Sequence, residues 1–288
     1  MRLLVAVDGS DESFHALRAV GHLARAEKLT VLNALDVPIL AYPMGGEPGG
    51  AEEFSLSIQQ IMQEDSERLL NRVASLLPMN TGPVSKQIET GTPAEAILAA
   101  AEKEKADLIV LGSRGLGPVK ELLLGSVSHR VATHASCPTL IVNRPMRSLH
   151  RILMAVEGPE DAAVLTKFLA AKPFKETAEI TVVTVLPTAQ PLFPPGFAKI
   201  DELIEKSVVG GRAFVEDTAS ALCKLQYSAK GYILMGAPAL AILQEAEASG
   251  PDLILMGSHG RRGVTRFLLG SVSHAVLHRA PCPLLIVR

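Results

Sequence analysis

Two long stretches of the sequence occur twice, and this internal repeat restricts the fold more than any other feature. The segment GTPAEAILAAAEKEKADLIVLGSRG, which begins at Gly91, recurs as GAPALAILQEAEASGPDLILMGSHG from Gly236. The segment LLLGSVSHRVATHASCPTLIV recurs at the same offset as FLLGSVSHAVLHRAPCPLLIV, and more than half of the aligned residues are identical. Near the start, RLLVAV corresponds to RILMAV from Arg151. The repeat predicts that the chain is a duplication of one domain.

A short polar segment, 143–150, separates the two copies. It contains Pro145 and lies between the last apolar segment of the first copy and the first apolar segment of the second. A chain of 288 residues is long enough for two domains that each bury a core. We therefore predict one domain over residues 1–145 and a second over residues 149–288.

Short apolar segments alternate with longer segments of helical periodicity in each copy. In the first copy the predicted strands are 3–7, 30–35, a weaker 85–89, 107–111 and 139–142, and the predicted helices are 12–27, 52–77, 93–104 and 126–134. Strands that are apolar throughout are typical of parallel sheets covered on both faces. The pattern predicts an α/β fold with two tandem, doubly wound, five-stranded parallel sheets. Thr92, Pro93 and Glu95 predict a capping box at the start of the third helix.

The last strand of each copy is apolar to its end, so it would leave an exposed sheet edge if it had no neighbour. We therefore predict that 139–142 and 284–287 lie side by side, and that the copies pack as a pseudo-dimer about an approximate twofold axis. Further pairing of two chains into a homodimer stays open at this point.

Composition excludes several classes of protein. The formal net charge is −2, and no long run of one sign indicates a nucleic-acid partner. No apolar stretch approaches the roughly 20 residues that span a bilayer, so we expect a soluble, cytoplasmic protein without a membrane partner. The three cysteines, Cys137, Cys223 and Cys282, have no C-x-x-C spacing, which argues against a disulfide framework or a zinc site and favours buried structural thiols.

A glycine-rich segment follows the fourth predicted strand of each copy. The first reads Gly112-Ser113-Arg114-Gly115, then nine residues, then Gly125-Ser126-Val127-Ser128. The second reads Gly257-Ser258-His259-Gly260, nine residues, then Gly270-Ser271-Val272-Ser273. Glycine allows close approach of the backbone to a ligand, and the N-terminus of the following helix favours phosphate. The segment is neither a Walker A loop nor the dinucleotide G-x-G-x-x-G.

This G-x-x-G-x9-G-S pattern resembles the ATP-binding signature of the universal stress protein family, and the resemblance covers nearly the whole chain as two copies. It implies an adenine nucleotide alpha hydrolase-like fold that binds ATP, with or without Mg²⁺ or Mn²⁺. In the first copy it implies an adenine and ribose site at Ala6, Val7, Asp8 and Ala34, and a phosphate site at Gly112, Ser113, Arg114, Gly115, Gly125, Ser126, Val127 and Ser128. In the second copy it implies a site at Val185, Gly257, Gly260, Gly270, Ser271, Val272 and Ser273.

The second copy departs from the pattern after its first strand. Glu157 stands where the first copy has Asp8, and Pro159 stands where it has a small hydroxyl residue. The longer side chain displaces the carboxylate by one methylene and would crowd the pocket. We expect the first site to bind nucleotide more tightly than the second.

No residue is assigned as catalytic or as a metal ligand. His129 and His274 follow the two glycine segments, but the sequence places no acid beside them to orient the rings, so we interpret them as surface or domain-contact residues. The segments 41–51 and 187–197 are rich in glycine or proline and are either lids over the sites or surface loops.

Three functions fit the sequence. The leading hypothesis is a regulatory, ATP-responsive binding module that acts in stress response through protein partners. The second is a slow ATP hydrolase or nucleotidyl-transfer enzyme, which would need a metal and a positioned base. The third is a nucleotide-free scaffold for protein contacts.

Overall fold

The computed structural model describes residues 1–37, 50–79, 81–116, 124–187, 198–258 and 269–288. The first copy consists of β1 (Arg2–Ala6), α1 (Asp11–Ala19), β2 (Lys28–Leu35), α2 (Gly50–Leu76), β3 (Val84–Thr90), α3 (Pro93–Lys103), β4 (Leu108–Gly112), α4 (Ser126–His134) and β5 (Thr139–Val142). The second consists of β6 (Arg151–Ala155), α5 (Pro159–Ala170), β7 (Glu179–Leu186), α6 (Ala198–Lys224), β8 (Ser228–Met235), α7 (Pro238–Ser249), β9 (Leu253–Gly257), α8 (Ser271–Arg279) and β10 (Leu284–Val287).

The ten strands of the described residues form one sheet, in the order β3-β2-β1-β4-β5-β10-β9-β6-β7-β8. Strands within each copy pair in parallel, as predicted. The copies meet where β5 and β10 pair antiparallel, with Leu140 opposite Leu285. These two residues occupy the same position in the repeat, so an approximate twofold axis passes between them. The predicted pseudo-dimer is confirmed.

Helices cover both faces of the sheet and separate the core into two layers. On β1, Leu3 and Val5 pack in the layer that contains Leu17 of α1, whereas Leu4 packs in the layer that contains Ile97 of α3. This alternation follows from the two-residue period of a strand, and it explains why Leu3, Leu4 and Val5 are all apolar. Both layers include buried residues of both copies, so the core continues across the twofold axis.

The first helix is shorter than predicted. It ends at Ala19 rather than near residue 27 and is followed by a 3-10 turn, Val20–His22. The segment after this turn contacts the second copy: the Ala24 amide donates to the Pro173 carbonyl at 2.8 Å, and the Lys175 amide donates to the His22 carbonyl at 2.9 Å. These contacts use the backbone groups that a longer helix would need.

Two smaller predictions were wrong. Thr92 is the N-cap residue of α3, but its side chain makes no capping hydrogen bond, and Glu95 pairs with Arg130 at 3.1 Å instead of closing a capping box. Among the cysteines, Cys282 is buried and Cys137 is half-buried, but Cys223 is exposed. Burial raises the pKa of the Cys282 thiol to about 12, which keeps that thiol protonated.

Candidate functional site

The strand order fixes where a ligand crevice can open. From β1 the chain proceeds to β2 and β3 on one side, and it returns to β4 on the other side of β1. The carboxyl ends of β1 and β4 are therefore the topological switch point of the first copy, where open parallel sheets bind ligands. Asp8 follows β1 and the segment 113–116 follows β4, so the predicted site residues meet at this point.

Asp8 is held between two loops by three donors. Its Oδ1 accepts hydrogen bonds from the Ser10 amide at 3.0 Å and the Ser10 hydroxyl at 2.6 Å. Its Oδ2 accepts from the Leu116 amide at 3.2 Å. Gly9, which lies between Asp8 and Ser10, has φ of +87°, a conformation that glycine adopts without strain. Ser10 Oγ also accepts from the Ser13 amide at 3.2 Å, which makes it the side-chain cap of α1. The carboxylate is half-buried and oriented before any ligand arrives.

The glycine spacing has a steric explanation. A Cβ on Gly115 would lie 2.2 Å from Asp8 Oδ2, so a side chain at this position would displace the carboxylate from its hydrogen bond to the Leu116 amide. The Gly125 amide donates to the Ser113 carbonyl at 2.7 Å and closes the base of the loop, whose residues 117–123 lie outside the described part of the chain. A Cβ on Gly125 would lie 3.3 Å from Arg114 Cα, which is also tight.

Some of the predicted phosphate residues are used within the protein. A Cβ on Gly112 would lie 2.7 Å from the Glu12 carbonyl carbon, so this glycine lets α1 pack on the end of β4. Ser128 is buried and its hydroxyl donates to the Gly112 carbonyl at 2.7 Å, which fastens α4 to the strand. Ser113 is also buried, with 2% of its surface exposed. These three residues shape the loop, and Ser113 and Ser128 are buried whereas Ser126 is exposed.

The N-terminus of α4 is the part of the loop suited to an anion. Gly125 is the N-cap in an extended conformation, and no side chain of the described residues caps the helix. The amides of Ser126, Val127 and Ser128 form the first turn, where helix amides have no intrahelical acceptor and the helix dipole is positive. Ser126 is exposed and adds a hydroxyl, whereas the Val127 side chain packs on the core.

Arg114 has a carboxylate partner. Its guanidinium donates to Glu12 Oε1 at 2.8 Å, and the arginine side chain is 36% exposed. The ion pair joins the loop to the start of α1. A phosphate in the crevice would have to share this arginine with Glu12.

A buried amide that sequence reasoning missed supports the other wall of the site. Asn33 of β2 donates from Nδ2 to the Val7 carbonyl at 2.7 Å, and its Oδ1 accepts from the Ser66 hydroxyl of α2 at 2.6 Å. Asn33 thereby fixes the backbone at Val7, next to the half-buried Ala6 and Ala34. The available signal was a single amide side chain within the apolar segment TVLNAL.

The second copy repeats the loop contacts. The Gly270 amide donates to the Ser258 carbonyl at 2.8 Å, and the buried Ser273 hydroxyl donates to the Gly257 carbonyl at 2.9 Å. Ser271 is exposed, Val272 packs on the core, and Val185 of β7 is half-buried. Gly260 lies outside the described residues.

The carboxylates of the second copy are arranged differently. Glu157 is exposed, and its amide donates to Asp161 Oδ2 at 3.0 Å. Asp161 points at the strand end, because a Cβ on Gly257 would lie 1.9 Å from its Oδ1. Burial, together with the neighbouring charge of Glu157, raises the pKa of Asp161 to about 6. Gly158 is the N-cap of α5 without a side-chain bond, and Pro159 follows it, so nothing here repeats the Asp8–Ser10 turn.

His129 and His274 meet across the twofold axis, with 3.1 Å between their Nε2 atoms. The prediction of a domain-contact role for these residues is confirmed. Most of the segments 41–51 and 187–197 lies outside the described residues, so their interpretation as lids or surface loops stays a prediction. Among the described helices, none is both long and apolar enough to cross a bilayer.

Comparison with known proteins agrees with the resemblance found in the sequence. The family model described as the universal stress protein family matches residues 1–143 and again 148–288. A universal stress protein of Mycolicibacterium smegmatis is 25% identical over 99% of this chain and 96% of its own length. One from Thermus aquaticus is 39% identical over 49% of this chain and 96% of its own length.

A solved structure has the same architecture over the full length. The crystal structure of a universal stress protein from Archaeoglobus fulgidus is 25% identical, covers 100% of this chain and 96% of its own, and superimposes with a TM-score of 0.65. The two family matches, one on each repeat, account for both halves of the ten-stranded sheet. This chain therefore belongs to the universal stress protein family, in a tandem form with two copies of the domain, which supports a role in stress response.

Proposed function

We propose that the chain is a regulatory module that binds an adenine nucleotide, with ATP as the foremost ligand and the first copy as the principal site. The observation that carries the proposal is the convergence of three features at the β1–β4 switch point. These are the oriented carboxylate of Asp8, a loop whose Gly115 has no room for a side chain, and the N-terminus of α4.

The three features suit different parts of a nucleotide. A carboxylate at the end of a strand accepts hydrogen bonds from ribose hydroxyls. The first-turn amides of α4 and the Ser126 hydroxyl donate to phosphate oxygens, where the helix dipole favours negative charge. Mg²⁺ or Mn²⁺ would neutralise part of the phosphate charge. In this arrangement the ribose lies at Asp8 and the phosphates lie at the N-terminus of α4. The negative charge of the carboxylate is therefore separated from that of the phosphates.

The geometry supports binding more than turnover. Asp8 already accepts three hydrogen bonds, which suits an acceptor that orients a ligand rather than a base that must take up a proton. We propose that nucleotide occupancy shifts the shape of the fused pair or its affinity for a protein partner, in a cytoplasmic stress response. Multiple turnover of ATP would instead favour the slow hydrolase.

Calorimetric titration of nucleotide-stripped protein with ATP tests the proposal. Asp8→Asn keeps the size of the side chain and removes its charge, so we expect affinity at the first site to fall about tenfold. Glu157→Gln is the matched control at the equivalent position of the second copy and should leave the first site unchanged. Absence of ATP binding to the wild type would favour the nucleotide-free scaffold. Unchanged ATP affinity in a folded Asp8→Asn variant would contradict the role of the Asp8 carboxylate in binding.

A further inference from the structure

Three histidines cluster where the two copies meet. His129 belongs to α4, and His274 and His278 lie one turn apart on α8. The Nε2 atoms of His129 and His274 are 3.1 Å apart. The ring centroids of the three pairs lie 5.2, 5.3 and 4.6 Å apart. This trio is called the histidine cluster below.

The spacing of the ring nitrogens suits a tetrahedral ion. One nitrogen from each ring lies within 4.8 Å of the others. A tetrahedral zinc ion with Zn–N bonds of about 2.0 to 2.1 Å holds its ligand nitrogens roughly 3.3 to 3.4 Å apart. The pair His129–His274 is already near that distance. His274 is exposed and the other two are half-buried, so small ring rotations would bring the third nitrogen into place.

Duplication alone does not explain the histidine cluster. His129 and His274 occupy the same position in the repeat, but the position of His278 is occupied in the first copy by Thr133. Thr133 donates its hydroxyl to the His129 carbonyl at 2.8 Å, which is an ordinary helix contact. A hydrogen bond between two neutral imidazoles would explain the contact of His129 with His274. It does not explain why the ring of His278 lies beside both of them.

The protonation of the rings is compatible with metal binding. Burial, reinforced by the neighbouring imidazoles, lowers the pKa of His129 and His278. Neutral imidazole is the form that binds a metal, and His residues at i and i+4 on one helix present their rings to the same ion.

We propose that the histidine cluster binds one divalent transition-metal ion of the zinc class, with three imidazole nitrogens as ligands and an open position for water. The ion would connect the first turn of α4 to the first two turns of α8 across the twofold axis. The inference does not rest on nucleotide binding, because it uses none of the residues in the crevice.

Titration of the chelator-treated, nucleotide-free protein with Zn²⁺ and with Co²⁺ tests the site. We expect one equivalent to bind, Co²⁺ to give the visible absorption of a four-coordinate ion, and Zn²⁺ to raise the melting temperature. His274→Ala and His278→Thr should each weaken binding at least about tenfold. His278→Thr restores the residue of the first copy and is not expected to disturb folding.

His150→Ala is the matched control, since His150 is an exposed histidine that pairs with Glu176 outside the histidine cluster. It should bind one Zn²⁺ with the affinity of the wild type. The proposal is overturned if the wild type retains no Zn²⁺ in equilibrium dialysis, if both cluster variants bind as tightly as the wild type, or if His150→Ala weakens binding as much as they do.

Discussion

The two copies keep the same loop scaffold but differ in the carboxylate beside it. In both, a glycine amide closes the loop and a buried serine fastens the following helix to the strand end. In the first copy Asp8 accepts from two loops, whereas in the second Glu157 is exposed and Asp161 occupies the strand end. A shared glycine motif therefore indicates a shared loop. We expect any difference in ligand binding between the copies to come from the carboxylates that follow β1 and β6.

The largest expected effect comes from filling the loop of the first copy. Gly115→Val with Gly125→Val places side chains against Asp8 and Arg114, and we expect affinity for ATP at the first site to fall more than about a hundredfold. Gly270→Val should leave the first site intact. Gly210→Ala is a neutral control, because a Cβ there meets nothing within 4 Å. Undiminished ATP affinity by calorimetry in a folded double variant would remove the phosphate assignment.

Exchange of the carboxylates should reverse part of the difference between the copies. Asp8→Glu displaces an acceptor of charge-assisted hydrogen bonds, which costs roughly 1.5 to 3 kcal/mol, or about ten- to a hundredfold in affinity at the first site. Glu157→Asp should strengthen the second site by less, because Pro159 cannot replace the hydroxyl of Ser10. NMR of the glycine amides at 112, 115, 257 and 260 would measure the sites separately. If the second site fills first, the carboxylate does not set the order.

The buried amide under the first crevice should matter for stability. Asn33→Ala leaves the Val7 carbonyl and the Ser66 hydroxyl without their partner, and we expect it to lower the free energy of unfolding by about 1 to 3 kcal/mol. Asn71→Ala removes an exposed amide that pairs with Lys86, and it should cost less than about 0.5 kcal/mol. Urea denaturation of the two variants gives the comparison. Equal losses would contradict the role of Asn33.

The smallest expected effect concerns Asp161. Its folded pKa of about 6 lies above the usual value near 3.9, so the folded state holds its proton more tightly and this group costs stability as the pH rises from about 4 to 6. Asp161→Asn removes that cost, and its stability relative to wild type should improve by about 1 to 2 kcal/mol between pH 4.5 and 7.5. Glu12→Gln, the counterpart in the first copy, breaks the ion pair with Arg114 and should not improve stability at pH 7.5. Urea denaturation at both pH values decides, and a pH-independent difference for Asp161→Asn would refute the assignment.

The sequence predicted those parts of the fold that depend on local pattern. The bounds of α4 and β5 match the prediction because apolar periodicity and glycine set them locally. The end of α1 could not be predicted, because backbone contacts between His22 and the second copy replace helical bonds.

For the candidate site, too, the sequence predicted the parts that depend on local pattern. The spacing of the glycines located the loop. The role of Asn33 depends on contacts with Val7 and Ser66, which are distant in sequence, and that of Asp161 depends on its packing against Gly257 at the strand end. The spacing of four residues between His274 and His278 on one helix is the sequence signal for the histidine cluster.

The pairing of β5 with β10 has a consequence for synthesis of the chain. Leu284 follows Val142 by 142 residues, so the ribosome makes the partner of β5 long after β5 itself. Because translation adds about 5 to 20 residues per second, the apolar edge strand of a completed first domain stays unpaired for about 7 to 28 s before β10 is synthesised. During that interval the nascent chain presents a strand edge that can pair with other chains. Early release of the chain before residue 284 would make this exposure permanent.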